Sequence, residues 1–230
     1  MRVNRPTTPA DRAAHWNTVY DTKGDDGVSW YQATPIITLE LLDALRVDRS
    51  ASIIDLGGGA SVVVDHLLAR EFTDVSVLDV SKVALDNTKA RLGPAAERVH
   101  WLHRDIFDWV PERRFDLWHD RAVFHFLIEE DEREIYLHVL RSGVAPGGRV
   151  VVATFDAHGP THCSGLPVVR YSATELAQVF APHFDLVDTR SEEHLTPAGL
   201  VQPFTWVVLS PSSRPRGEVL TASPSGIPGR

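Results

Sequence analysis

From residue 52 onward, short apolar runs alternate with stretches whose apolar residues recur at helical spacing. The runs at 52–56, 75–80, 99–102, 115–119 and 149–155 predict strands, the last being the most β-branched in the chain. Residues 62–72, 82–92, 130–142 and 174–180 predict helices, the second closed by Gly93-Pro94. Pro146-Gly147-Gly148 reads as a turn before the fifth strand. Two final strands are expected at 184–189 and 204–209. Strands alternating with helices argue for a mainly parallel sheet covered on both faces. The last two strands are joined through Thr196-Pro197-Ala198-Gly199, too short for a crossover helix, so that pair should be antiparallel.

The first 50 residues follow another pattern. A short helix is expected at 11–20, carrying Trp16 and Tyr20 one turn apart. Gly24-Asp25-Asp26-Gly27 is a loop, Trp30-Tyr31 follows, and Pro35 opens a helix with Ile36, Leu39, Leu42 and Leu45 on one side. After Ser210 the chain turns to Pro, Ser, Gly and Arg, and residues 211–230 are expected to be a disordered tail without chemistry.

Composition narrows the class. Of 230 residues, 43% are hydrophobic and 23% charged, as in an ordinary soluble globular protein. The net charge of −8, with no Lys/Arg block, argues against nucleic acid as a partner. No apolar run approaches the roughly 20 residues of a membrane span. The N-terminal residues lack the apolar core of a secretory signal, so a cytoplasmic enzyme is expected. A single cysteine, Cys163, excludes an intrachain disulfide and a Cys-rich zinc site.

The sharpest chemical feature is Asp55-Leu56-Gly57-Gly58-Gly59-Ala60-Ser61, where the first strand meets the first helix of the alternating region. Glycines there let backbone approach a ligand closely. Asp79 ends the second strand, 20 residues after Gly59, where an acid can accept hydrogen bonds from both hydroxyls of a ribose. Asp105-Ile106 follows the third strand and can meet an adenine edge and face. All three acids fall at carboxyl ends of strands, where open α/β sheets bind ligands. In a dinucleotide loop counted from Gly57 the third glycine would fall at Val62. Asp55 would repel a pyrophosphate but suits a ligand carrying an ammonium and a sulfonium, which favours S-adenosylmethionine over a dinucleotide.

At these residues the chain resembles the class I S-adenosylmethionine-dependent methyltransferases over roughly residues 10–210. The family's acid-x-Gly-x-Gly-x-Gly loop is matched at Asp55, Gly57 and Gly59, with Ser61 in place of the last glycine. Asp79 matches its ribose-binding acid, Asp105-Ile106 its adenine-contacting pair, and Pro146-Gly147-Gly148 its turn before strand 5. The resemblance implies a doubly wound α/β sheet of seven strands, order 3-2-1-4-5-7-6 with strand 7 antiparallel. The aromatic-rich residues 1–50 are expected to form a lid segment, 51–210 the cofactor-binding domain and 211–230 the tail. Trp16, Tyr20, Trp30 and Tyr31 are similar to the N-terminal aromatics of seven-stranded protein-lysine methyltransferases, and also to those of thiopurine and thiol methyltransferases. Asp120-Arg121-Ala122-Val123 resembles the Asp-Lys-Gly-Thr motif of the former group but departs from it at Ala122 and Val123.

The expected cofactor contacts are Trp16, Tyr20, Trp30, Asp55, Gly57, Gly58, Gly59, Asp79, Val80, Asp105, Ile106 and Asp120. The candidate catalytic groups are Asp120, after the fourth strand, and His125 as a base. Asp120 could instead cap a turn or pair with Arg121, and His125, among apolar neighbours, could be a core residue. His119 is a weaker candidate. The long segment after the fifth strand should wall the substrate pocket; its His158, His162 and Cys163 lie too close in sequence to make a metal site, and none is expected. Arg170 could meet an acidic substrate. A small-molecule acceptor with an N, O or S nucleophile is expected. A protein lysine, an NAD(P)-dependent oxidoreductase and a non-catalytic cofactor-binding module are the alternatives.

Overall fold

A computed structural model describes residues 5–181 and 183–212. It contains a seven-stranded sheet in the order β3-β2-β1-β4-β5-β9-β8. The strands are β1 (Ser52–Leu56), β2 (Asp74–Asp79), β3 (Val99–His103), β4 (Phe115–Arg121), β5 (Val144–Phe155), β8 (Phe184–Leu195) and β9 (Val201–Pro211). The first five run parallel, and β9 is antiparallel to both β5 and β8. This is the expected topology, with β8 and β9 as the sixth and seventh strands of the sheet. A separate two-stranded ribbon, β6 (His162–Cys163) and β7 (Leu166–Pro167), lies within the irregular segment after β5.

Helices α1 (Pro9–Lys23), α2 (Ile36–Ala44), α3 (Val63–Ala69), α4 (Lys82–Leu92), α5 (Glu130–Gly143) and α6 (Ala173–Phe180) complete the fold. The two sheet faces carry two cores. One gathers Leu41, Val64, Phe72, Val75 and Trp206; the other Ile54, Trp118, Tyr136, Leu140 and Phe180. Central strands buried on both faces explain their near-continuous apolar runs. No helix among the described residues is long and apolar enough to cross a membrane.

Several boundaries differ from the sequence reading, α1 (Pro9–Lys23, expected at 11–20) and β8 (Phe184–Leu195, expected at 184–189) among them. Helix α3 stops at Ala69 instead of reaching residue 72, because Glu71 adopts φ +63°. The Phe72 and Glu71 N–H groups then bond back to the Leu67 and Leu68 carbonyls, a Schellman closure that turns Phe72 into the core. Pro146-Gly147-Gly148 is a bulge inside β5 rather than a turn before it: Val144 pairs with Phe115, and pairing resumes at Leu117 with Arg149. Strand β9 includes Pro211, the first residue of the expected tail; residues 213–230 lie outside the described residues.

The exit from β4 shapes the site. Asp120 is fully buried, its Oδ1 accepting from the Val123 and Phe124 N–H groups at 2.9 and 3.3 Å. These bonds hold Ala122 at φ +71°. Oδ2 accepts from the Tyr136 hydroxyl at 2.7 Å, and that oxygen accepts from Trp118 Nε1 at 3.2 Å. Burial pushes the Asp120 carboxyl up to about 6, against the opposing pull of Tyr136 and the two amides. Tyr136→Phe leaves Trp118 Nε1 and Asp120 Oδ2 unsatisfied. It should cost about 1–3 kcal/mol, read as a lower urea midpoint at unchanged slope.

Candidate functional site

The carboxyl ends of β1, β2, β3 and β4 open into one cleft of about 1050 Å³, including the space at its mouth. Of the residues expected to contact a cofactor, Trp16, Tyr20, Trp30, Gly57, Asp79, Val80, Asp105 and Ile106 line this cleft. Asp55, Gly57 and Gly58 line a smaller recess that shares Trp30 and Arg121 with it.

Asp79 ties three elements together. Its Oδ2 accepts from Gly59 N at 2.9 Å, and its Oδ1 from Ser81 N at 2.7 Å. Ser81 in turn caps α4, its hydroxyl accepting from Ala84 N at 3.2 Å. Burial pushes the Asp79 carboxyl up to about 6, with the Ser81 and Gly59 amides pulling the other way. Each oxygen keeps acceptor capacity for a ligand hydroxyl.

The glycine turn is tight for reasons visible atom by atom. Gly57 sits at φ +62°, a conformation costly for any residue with a Cβ. A Cβ at Gly59 would stand 2.6 Å from Asp79 Oδ2 and 2.7 Å from Ala84 Cβ. One at Gly58 would stand 2.3 Å from Asp55 Oδ2. Asp55 is buried below the turn, its Oδ1 2.6 Å from His119 Nδ1, while His119 Nε2 lies 3.0 Å from the Thr38 hydroxyl. Among the described residues Asp55 Oδ2 has no hydrogen-bond partner. A buried carboxylate oxygen left open beneath a loop that only glycines can form fits a ligand bearing an ammonium group.

Helix α1 roofs the cleft. Thr8 and Asp11 form its capping box. Asn17 Oδ1 accepts from the Ser81 hydroxyl at 2.8 Å, fastening α1 to α4. Asp25, in the glycine-flanked loop, accepts from Asn87 Nδ2 at 2.9 Å and pairs with Arg91. Trp16 makes edge contacts with Trp30 and Phe126, and Tyr20 with Trp30, so the aromatics form one connected wall. Tyr20 is buried with Val28, Ala60 and Ala84, and burial raises its hydroxyl pKa.

Several lining residues were not anticipated. Arg12 Nε lies 2.6 Å from Asp105 Oδ2, and its guanidinium stacks 4.4 Å over Phe107. Phe126, Leu166 and Pro167 line the cleft, and Arg5 reaches its rim to pair with Glu132. Apart from the amphipathic spacing that predicted the first helix, no sequence signal marks Arg12 as a site residue.

The two catalytic candidates lie off the cleft wall. Asp120 is enclosed and bonded as described, and does not pair with Arg121. His125 is fully buried against Phe126 and Phe155, with Nδ1 3.4 Å from Phe155 N. Burial, reinforced by Arg121, depresses its pKa to about 3, which makes it a weak base at neutral pH. Arg170 donates to the Gly159 carbonyl at 3.2 Å. Among the described residues no three His, Cys, Asp or Glu side chains gather as a metal site.

Comparison with known proteins agrees with this geometry. Residues 54–150 match the family described as "Methyltransferase domain". The chain is 23% identical over 135 residues to malonyl-(acyl-carrier protein) O-methyltransferase 2 of Ilyobacter polytropus, covering 56% of this chain and only 51% of that relative. It is 27% identical to thiocyanate methyltransferase 1 of Arabidopsis thaliana, covering 72% and 71%. It is 22% identical to EEF1A lysine methyltransferase 2 of Danio rerio, covering 73% and 70%. In structure it resembles the Burkholderia thailandensis 1,6-didemethyltoxoflavin-N1-methyltransferase, crystallised with 1,6-didemethyltoxoflavin and S-adenosylhomocysteine. The TM-score is 0.65 at 23% identity, over 90% of this chain and 93% of that one. These findings support the resemblance read from the sequence: residues 54–150 match a methyltransferase domain, and the fold is that of the methyltransferase structure it resembles.

Gly59→Ala should drive Asp79 off the turn. The expected cost is about 1–3 kcal/mol of stability, measured by urea unfolding.

Proposed function

We propose that the protein transfers a methyl group from S-adenosylmethionine to an N, O or S nucleophile of a small molecule. The observation that supports this reading is the apolar lining that Trp30, Phe126, Leu166 and Pro167 give the cleft. When bound, the cofactor supplies the methyl group and the sulfur that leaves.

The chain supplies placement and dryness. Asp79 accepts from the ribose hydroxyls, and the Gly57–Gly59 turn admits the ligand to the backbone. Asp55, through its open Oδ2, offers negative charge to the amino-acid end. Ile106 and Val80 would hold the adenine ring, and Asp105, beside Arg12, would accept a hydrogen bond from it. Trp16, Tyr20 and Trp30 shut out water from the reacting atoms. Asp120 acts through the β4 exit it holds, as a positioning residue.

Incubating the protein with methyl-labelled cofactor, small thiols, amines and carboxylates, and separately with lysate proteins, tests the acceptor class. A labelled small product is expected. A labelled protein band without one would transfer the reading to the protein-lysine group, which the Danio rerio relative represents.

Asp79 also predicts a pH dependence. Hydroxyl donors favour its ionised form, so affinity for S-adenosylhomocysteine should be full above pH 6 and fall as pH drops through about 6. Asp79→Asn should weaken binding by about 10–100-fold at pH 8 and flatten the profile.

A further inference from the structure

Arg121 ends β4 and lines both the main cleft and the smaller recess. Its side chain is 9% exposed. Nη1 donates to the Trp30 carbonyl at 2.9 Å, and the guanidinium lies 4.4 Å over the Phe204 ring. Nη2 stands 3.6 Å from Glu192 Oε1, an ion-pair distance but too long for a hydrogen bond. Glu192 is already engaged, accepting from Trp206 Nε1 at 2.9 Å and from Gln32 Nε2. Nε and Nη2 are therefore buried without a hydrogen-bond acceptor among the described residues. Glu192 balances the charge of Arg121, yet the Nε and Nη2 N–H groups meet no acceptor at hydrogen-bond distance, and an anion that reached them would supply one.

The surroundings point the same way. Trp30, Phe126, Leu166 and Pro167 give this end of the cleft an apolar surface suited to an organic body. No histidine lines the cleft, and burial pushes the Cys163 thiol up to about 12. A protonated acceptor would find no histidine or reactive thiol here to take its proton, whereas an acceptor that is already an anion needs none.

We infer that Arg121 recognises the methyl acceptor, and that this acceptor is a small organic carboxylate seated on the Nε–Nη2 edge. That edge offers two parallel N–H donors, the geometry a carboxylate matches bidentately. Glu192 and Phe204 hold the guanidinium in place, and Trp30 supplies both a backbone anchor and an aromatic wall. The inference rests on the methyltransferase reading above.

The test uses the full chain saturated with S-adenosylhomocysteine. Benzoate, phenylacetate and indole-3-acetate are titrated by calorimetry beside their neutral amides. At least one carboxylate should bind about tenfold or more tightly than its amide. With each variant saturated with S-adenosylhomocysteine, Arg121→Gln should abolish the difference and Arg121→Lys should keep part of it. Circular dichroism checks that the variants fold, and the comparison in the unaltered protein needs no variant. If no carboxylate outbinds its amide there, the inference is wrong. If Arg121→Gln folds and loses S-adenosylhomocysteine but keeps 5′-methylthioadenosine, which lacks the amino-acid end, Arg121 holds the cofactor's carboxylate and the inference is again wrong. An unaltered protein that binds no S-adenosylhomocysteine overturns the methyltransferase reading itself.

Discussion

The carboxylate of Asp79 holds the end of β2, the glycine turn and the start of α4 in one arrangement through two backbone N–H groups. Both donors belong to segments that would otherwise leave amides unsatisfied in a buried place. The carboxylate in turn loses water, which is why its pKa is pushed up. The glycine turn follows from this bond: a Cβ at Gly59 would occupy the space between Asp79 and Ala84. The cap of α4 follows from it too, and α1 reaches the same point through Asn17 and Ser81. The roof of the cleft and its floor thus meet at one acid.

The second constraint runs along β4. Asp120, Tyr136 and Trp118 form a buried polar chain that fixes the left-handed step at Ala122. His119, one residue earlier, faces the other way and pairs with Asp55. Alternation along one strand therefore serves two ends: it anchors the glycine turn on one face and the β4 exit on the other. Arg121, next in line, returns to the first face and lines the cleft.

Much of this was legible. Glycines, strand-end acids and alternating runs obey local rules, and β1 and α4 fall where those rules put them. The losses have physical causes. Helix α3 ends at a glutamate in the left-handed region, where a glycine would have signalled the stop. The glycines at 147 and 148 do bend the chain, but cross-strand bonds on either side absorb them into β5 as a bulge. Asp120 and His125 were read from position alone, and burial decides their state: both sit behind the wall instead of on it. The partnership of Arg12 with Asp105 spans 93 residues of sequence, and nothing local could announce it.

The proposed function requires a cleft that takes an adenosylated amino acid and not a dinucleotide. Calorimetric titration of the protein at pH 8 with S-adenosylhomocysteine, and in parallel with NAD, tests it directly. The account predicts saturable binding of S-adenosylhomocysteine at one site per chain and no measurable heat from NAD. Tight binding of NAD with none of S-adenosylhomocysteine would contradict it.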